Sequence, residues 1–380
     1  MSSPRFAAAL SEHPVAAHAV GEVAGEILDA FGGDAPDLLV CFASPHFVGT
    51  MDDLTFALAN VLEPRVMLGA SAVSIVGGAR EVEDRPALSV FAASMPSARL
   101  TPVALGLEGT PDGATVTGWP DLDDEPATLV LVADPFSFPV DGFLARLNDD
   151  RPDLQVIGGA ASAARGPGGN RLVLDATVTT SGAVGVFVAG HEIRTVVSQG
   201  CRPVGQPFVV TKGQGNRIEE LAGLPAIDRV QECAAAAGAD DRELMRAGLH
   251  LGLVVDEHRV DFGRGDFLVR NVLGGDPDTG AIVVGDEISV GQTVQFHVRD
   301  AAAADDDLRE MLAGEAAAGA LLFTCNGRGQ RLFGVPDHDA AVVDQLLGPL
   351  PVAGAFCAGE IGPVGGRNFL HGFTASIALF

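Results

Sequence analysis

Two glycine-rich stretches near the C-terminal end hold the side chains best suited to chemistry. The first, CNGRGQR at 325–331, places Cys325, Asn326, Arg328 and Arg331 in a loop after the apolar run 320–324. The second follows the apolar piece 352–356 and carries Cys357, Glu360 and, further on, His371. Gly327 and Gly329 allow backbone N–H groups to turn inward, Arg328 or Arg331 offers a guanidinium to a carboxylate, and Glu360 offers an acceptor to an ammonium group. An amino-acid-like ligand needs both charges met. The same residues also compose a thiol site, with Cys325 or Cys357 as nucleophile, His371 as base and Glu360 orienting it. A third reading has the glycines make a tight turn and the arginines pair with an acidic surface. Arg270 and Arg299, set in strand-like segments, are either outer ligand contacts or parts of internal salt bridges.

Composition removes other chemistries. Fifty acidic residues against 24 basic ones give a formal charge of −26, which repels phosphate backbones and argues against nucleic-acid binding. Lys212 is the only lysine and is followed by glycine, so no Walker loop is present. There is no tyrosine. GRGQRLFG lacks the third glycine of a dinucleotide loop, and His13 and His18 lack a third ligand, so neither a cofactor nor a metal is expected. The five cysteines, without C-x-x-C spacing, read as reduced thiols. No secretory signal and no apolar run of membrane length is evident, so a soluble cytoplasmic protein is expected.

The elements that must position these loops recur. The segment 6–31 reads as one or two alanine-rich helices ended by Gly32. Then comes a buried strand at 38–42, a polar loop, a helix beginning near Thr50, a second strand running into Gly69, a glycine loop and a strand at 88–92. The order repeats from 129 to 189 and again from 320 to 379. Asp337 reads as a helix cap, and the charged runs 80–83 and 305–307 as solvated faces. Between the second and third units, 217–237 reads as helix and 248–298 as a strand meander punctuated by glycine–aspartate turns. This predicts an α/β fold of mixed sheets, built from βαββ-type repeats with helices outside, and a boundary near 195–222.

LGASAVSIVGGAREVE at 68–83, GCRPVGQPFVVTKGQGNRIEELAGLPA at 200–226, GDFLVRNVLGGDPDTGAIVVG at 265–285, GQTVQFHVRDA at 291–301, ALLFTCNGRGQRLFG at 320–334 and AGEIGPVGGRNFLHGFTASIAL at 358–379 resemble the FIST proteins. The resemblance covers nearly the whole chain. It implies two pseudo-related halves, a FIST N-terminal domain over 1–200 and a FIST C-terminal domain over 201–380. It also implies a cytoplasmic sensory, signal-transducing protein that binds a small polar metabolite, amino acids being the usual class. No kinase, F-box or other output pattern is evident, so the signal is expected to pass to a protein partner or to the chain's own oligomer. On this reading the site is Cys325, Asn326, Arg328, Glu360 and His371, with Arg270 and Arg299 outside them. A thiol-dependent hydrolase or transferase, and a protein-binding scaffold, remain the alternatives.

Overall fold

The structure is a computed structural model that describes residues 3–380 apart from 111–112, 123–124, 260 and 264. The fold is mixed α/β, and the chain separates into two compact units. One comprises 1–197, 309–370 and 374–380; the other comprises 198–308 and 371–373.

The first unit contains the three repeats. In each, two parallel strands flank a helix: Leu38–Ala43 with Val66–Ser71, Ala127–Ala133 with Gln155–Ala160, and Ala320–Cys325 with Val352–Cys357. A later strand returns antiparallel to the first of each pair, namely Leu88–Ser94, Ala183–Ala189 and Thr374–Leu379. The parallel strands are buried throughout or nearly so, which explains their unbroken Val, Leu and Ala runs. Each second strand carries a glycine, Gly69, Gly158 or Gly354, where a Cβ would run into the carbonyl oxygen of Cys41, Leu131 or Leu322 on its neighbour.

A hairpin sits between the second and last strands of each repeat, and it pairs with a sheet other than its own. The first repeat's hairpin, Ser74–Gly77 and Arg80–Glu83, extends the third sheet along Val352–Cys357. The second's, Leu172–Leu174 and Thr177–Thr179, extends the first sheet along Val66–Ser71. The third's, Glu360–Val364 and Arg367–His371, extends the second sheet along Gln155–Ala160. The exchange is cyclic. Bonds from Ser162 tie the strand ends together, since its hydroxyl donates to the Phe356 carbonyl and accepts the Val73 N–H.

Two helical expectations give way to strands. Arg5–Ser11 is a strand running antiparallel to Leu88–Ser94, and the helix begins only at Ala16. Alanine favours helix locally, but seven cross-strand partners outweigh that preference. The helix that follows buries Val20, Val23, Ala24 and Ile27 on one face and ends at left-handed Gly32 (φ 62°). Likewise Arg217–Leu221 is a strand, and the helix starts after Pro225, at Ala226.

In the second unit the expected meander closes on itself. Thr293–Arg299 pairs with both Phe208–Gln214 and Leu249–Val254. The ring continues through Phe267–Asp276, Ala281–Val284 and Arg217–Leu221 back to Phe208–Gln214. Val210, Ile218, Leu251, Ile282, Val294 and Phe296 pack in its core.

Candidate functional site

Cys325 ends the first strand of the third repeat, in register with Cys357 on the second. The chain then turns through Asn326, which is exposed and donates its N–H to the Cys357 carbonyl (2.9 Å). The Gly327 N–H points at the Cys325 Sγ (3.5 Å). Arg328 folds back inward and is the largest fully buried side chain among the described residues.

A buried guanidinium needs a counter-charge, and Asp339 supplies it. Arg328 Nε donates to Asp339 Oδ2 (2.7 Å) and Nη2 to Oδ1 (2.8 Å), a two-pronged pair with no exposure on either side. Thr324 Oγ1 (2.6 Å) and His338 Nδ1 (3.0 Å) add bonds to the same carboxylate. Burial alone would raise the Asp339 pKa; Arg328 and these donors overcome it and hold the group ionised. Asp337, expected as a helix cap, makes no side-chain cap bond and instead accepts the Glu81 N–H (2.6 Å).

Two further carboxyl groups face this pair. Glu81 comes from the first repeat's hairpin, so the run 80–83 is not the solvated face its sequence suggests. Its Oε1 accepts the Ala340 N–H (3.0 Å), while Oε2 has no hydrogen-bond partner. Burial and the Asp339 charge push its pKa from 4.5 to about 8. Glu360 is wholly buried; its Oε2 accepts from Thr374 Oγ1 (2.8 Å) and N–H (3.2 Å), and its Oε1 has no hydrogen-bond partner. Burial drives its pKa to about 8 against the lowering pull of the Thr374 hydrogen bonds, the Arg328 charge and, least, a weak hydrogen bond from the Cys325 thiol. Both acids are therefore protonated near neutral pH. Cys357, also buried and beside Glu360, has its thiol pKa raised well above the ordinary value.

Of the seven expected residues, Cys325, Asn326, Arg328 and Glu360 thus come together in the first unit. His371, Arg270 and Arg299 belong to the second. There Arg270 Nε pairs with Asp286 Oδ2 (2.7 Å), and Arg299 lies over the Phe373 ring (5.1 Å). Phe373 also meets His250 edge-on (4.4 Å), and His250 lies opposite His297 in the ring. Burial, first of all, lowers both histidines to about 4. Sequence reading missed Asp339, Glu81, His250 and His297. Glu81 gave the one usable signal, a carboxylate immediately before Val82 in a strand-like run.

Residues 37–224 match the FIST N domain and residues 226–363 match the FIST C domain. The chain belongs to the FIST family. FIST domains are associated with sensory and signal-transduction roles. The buried cluster draws on both, with Glu81 from the FIST N segment and Arg328, Asp339 and Glu360 from the FIST C segment. An uncharacterized protein of Mycobacterium tuberculosis (strain ATCC 25618 / H37Rv), Rv0628c, is 46% identical over 384 residues, 99% of each chain. The uncharacterized protein Mb0898c of Mycobacterium bovis (strain ATCC BAA-935 / AF2122/97) is 45% identical over 374 residues, 97% of this chain and 96% of its own. Among the described residues, no helix of this FIST protein is long and apolar enough to cross a membrane.

Proposed function

We propose that this FIST protein is a cytoplasmic sensor that binds a small amino-acid-like ligand at the 325–331 turn and passes its occupancy to a protein partner. One observation carries the reading: Glu360 is a fully buried acid whose Oε1 meets no N–H or O–H donor. Its carboxyl is bonded only by Thr374 and the weak Cys325 thiol, while it feels the charge of fully buried Arg328. Buried acceptors without a donor are rare and call for an explanation. A ligand ammonium supplies that donor and favours ionised Glu360, so binding releases a proton. Arg328 is engaged with Asp339. The ligand carboxylate therefore falls to Arg331, which, like Asn326, is exposed.

The test is thermal shift of the native chain against amino acids, their decarboxylated amines and simple carboxylates. A concentration-dependent rise for amino acids alone, lost in Glu360→Gln and weakened in Arg331→Ala, supports the reading. Equal binding by the native chain and both variants, equal binding of all three ligand classes, or a flat response throughout overturns it. Calorimetry in buffers of differing ionisation heat reads the released proton.

A further inference from the structure

The first and second repeats place equivalent residues where the hairpin meets the neighbouring strand, and those residues differ. Register fixes the equivalences: Ala43 faces Leu88 as Ala133 faces Ala183, while Ser11 pairs with Leu88 as Leu105 pairs with Ala183. Glu12 of the first repeat therefore corresponds to Gly106 of the second. Gly77 pairs with Arg80 as Leu174 pairs with Thr177, so Arg80 corresponds to Thr177. In the first repeat Glu12 bridges Arg80 (2.5 Å) and Arg85 (2.7 Å). In the second, glycine and threonine occupy the matching places. A cleft of about 690 Å3 remains there.

We infer that this cleft in the second repeat is a binding site for a small, uncharged, hydroxyl-rich molecule such as a sugar or cyclitol. Ser137, Thr177, Thr179 and Ser181 line it, and Asp175 is the sole ionisable residue among the described lining. With no cation present, a phosphate or a carboxylate ligand meets nothing to neutralise it. Hydroxyl groups, by contrast, both donate and accept, which suits a polyol. Leu107 and Leu174 add apolar surface for the C–H faces of a ring. The wall is held in place before any ligand arrives. Ser137 donates to fully buried Asp134 (2.6 Å) and accepts the Gly182 N–H (2.9 Å), and Asn170 donates to the other Asp134 oxygen (2.9 Å). None of these residues belongs to the 325–331 turn, so the site is separate from the one proposed above.

The experiment titrates the full chain with D-glucose and with myo-inositol by ligand-observed NMR and calorimetry, with glucose 6-phosphate as the charged comparison. Saturable binding of at least one neutral polyol is expected, with the phosphate binding at least about tenfold more weakly. The double variant Gly106→Glu/Thr177→Arg, which copies the first repeat's charged pair, is expected to lose at least tenfold in affinity while keeping its circular dichroism. Should that variant not fold, Thr177→Ala/Thr179→Ala/Ser181→Ala removes three hydroxyls and is expected to lose as much. Failure of both polyols to bind the native chain overturns the inference. So does unchanged affinity in a folded variant, or tighter binding of the phosphate.

Discussion

Arg328 grips Asp339 through Nε and Nη2 at 2.7 and 2.8 Å, and neither side chain reaches solvent. Removing one partner strands the other as a lone charge in a dry interior. Arg328→Met is therefore expected to cost about 3–5 kcal/mol of unfolding free energy. In Arg328→Met/Asp339→Leu, urea denaturation should show much of that loss restored. A single variant as stable as the native chain would mean the pair is solvated.

Glu360 and Glu81 carry the opposite pH signature from ordinary carboxylates. Their folded pKa of about 8 lies above the ordinary 4.5, so between those values the folded chain holds protons that the unfolded chain has lost. Stability should fall as pH rises from about 4.5 to 8, then level off. Glu360→Gln should flatten much of this slope and stabilise the protein at pH 8 by roughly 2–4 kcal/mol. Melting temperatures across that range, compared between native and variant, decide the matter.

His250 and His297 act in the other direction. Folding lowers them from 6.5 to about 4, so on acidification the unfolded state binds protons first. The second unit should lose stability as pH falls from 6.5 towards 4. Hydrogen exchange resolved by peptide should show 249–254 and 293–299 losing protection at pH 5 before 320–325 does. Simultaneous loss in all three would contradict this assignment.

Gly354 and Gly21 make a matched pair of glycine tests. A Cβ at Gly354 meets the Leu322 carbonyl, whereas one at helical Gly21 meets nothing within 4 Å. Gly354→Ala should lower stability by about 3 kcal/mol or more, since backbone must move. Gly21→Ala should raise it by about 0.5–1 kcal/mol. Denaturation midpoints for the two variants provide the comparison.

The repeat was legible because strand, polar loop, helix and glycine-bearing strand leave local marks at 38–71, 129–160 and 320–357. What local pattern cannot carry is the partner of a strand. Arg5–Ser11 looks helical until Leu88–Ser94 is beside it, and the hairpin at 74–83 gives no sign that it pairs with Val352–Cys357. The loop residues Cys325, Asn326, Arg328 and Glu360 were readable by type, and they do gather. The group that occupies the Arg328 fork was not readable, because Asp339 lies on the far side of a turn and resembles any acid in a helix's first turn.

Cyclic exchange of hairpins also orders events during synthesis. The second sheet's Gln155–Ala160 edge waits for Glu360–Val364, and the first repeat's hairpin waits for Val352–Cys357. Two repeats emerging from the ribosome therefore present unpaired strand edges until residues 352–364 have been made and released, a state open to intermolecular pairing. No single repeat can serve as an autonomous folding module, and a chain arrested short of residue 350 keeps two of its sheets open.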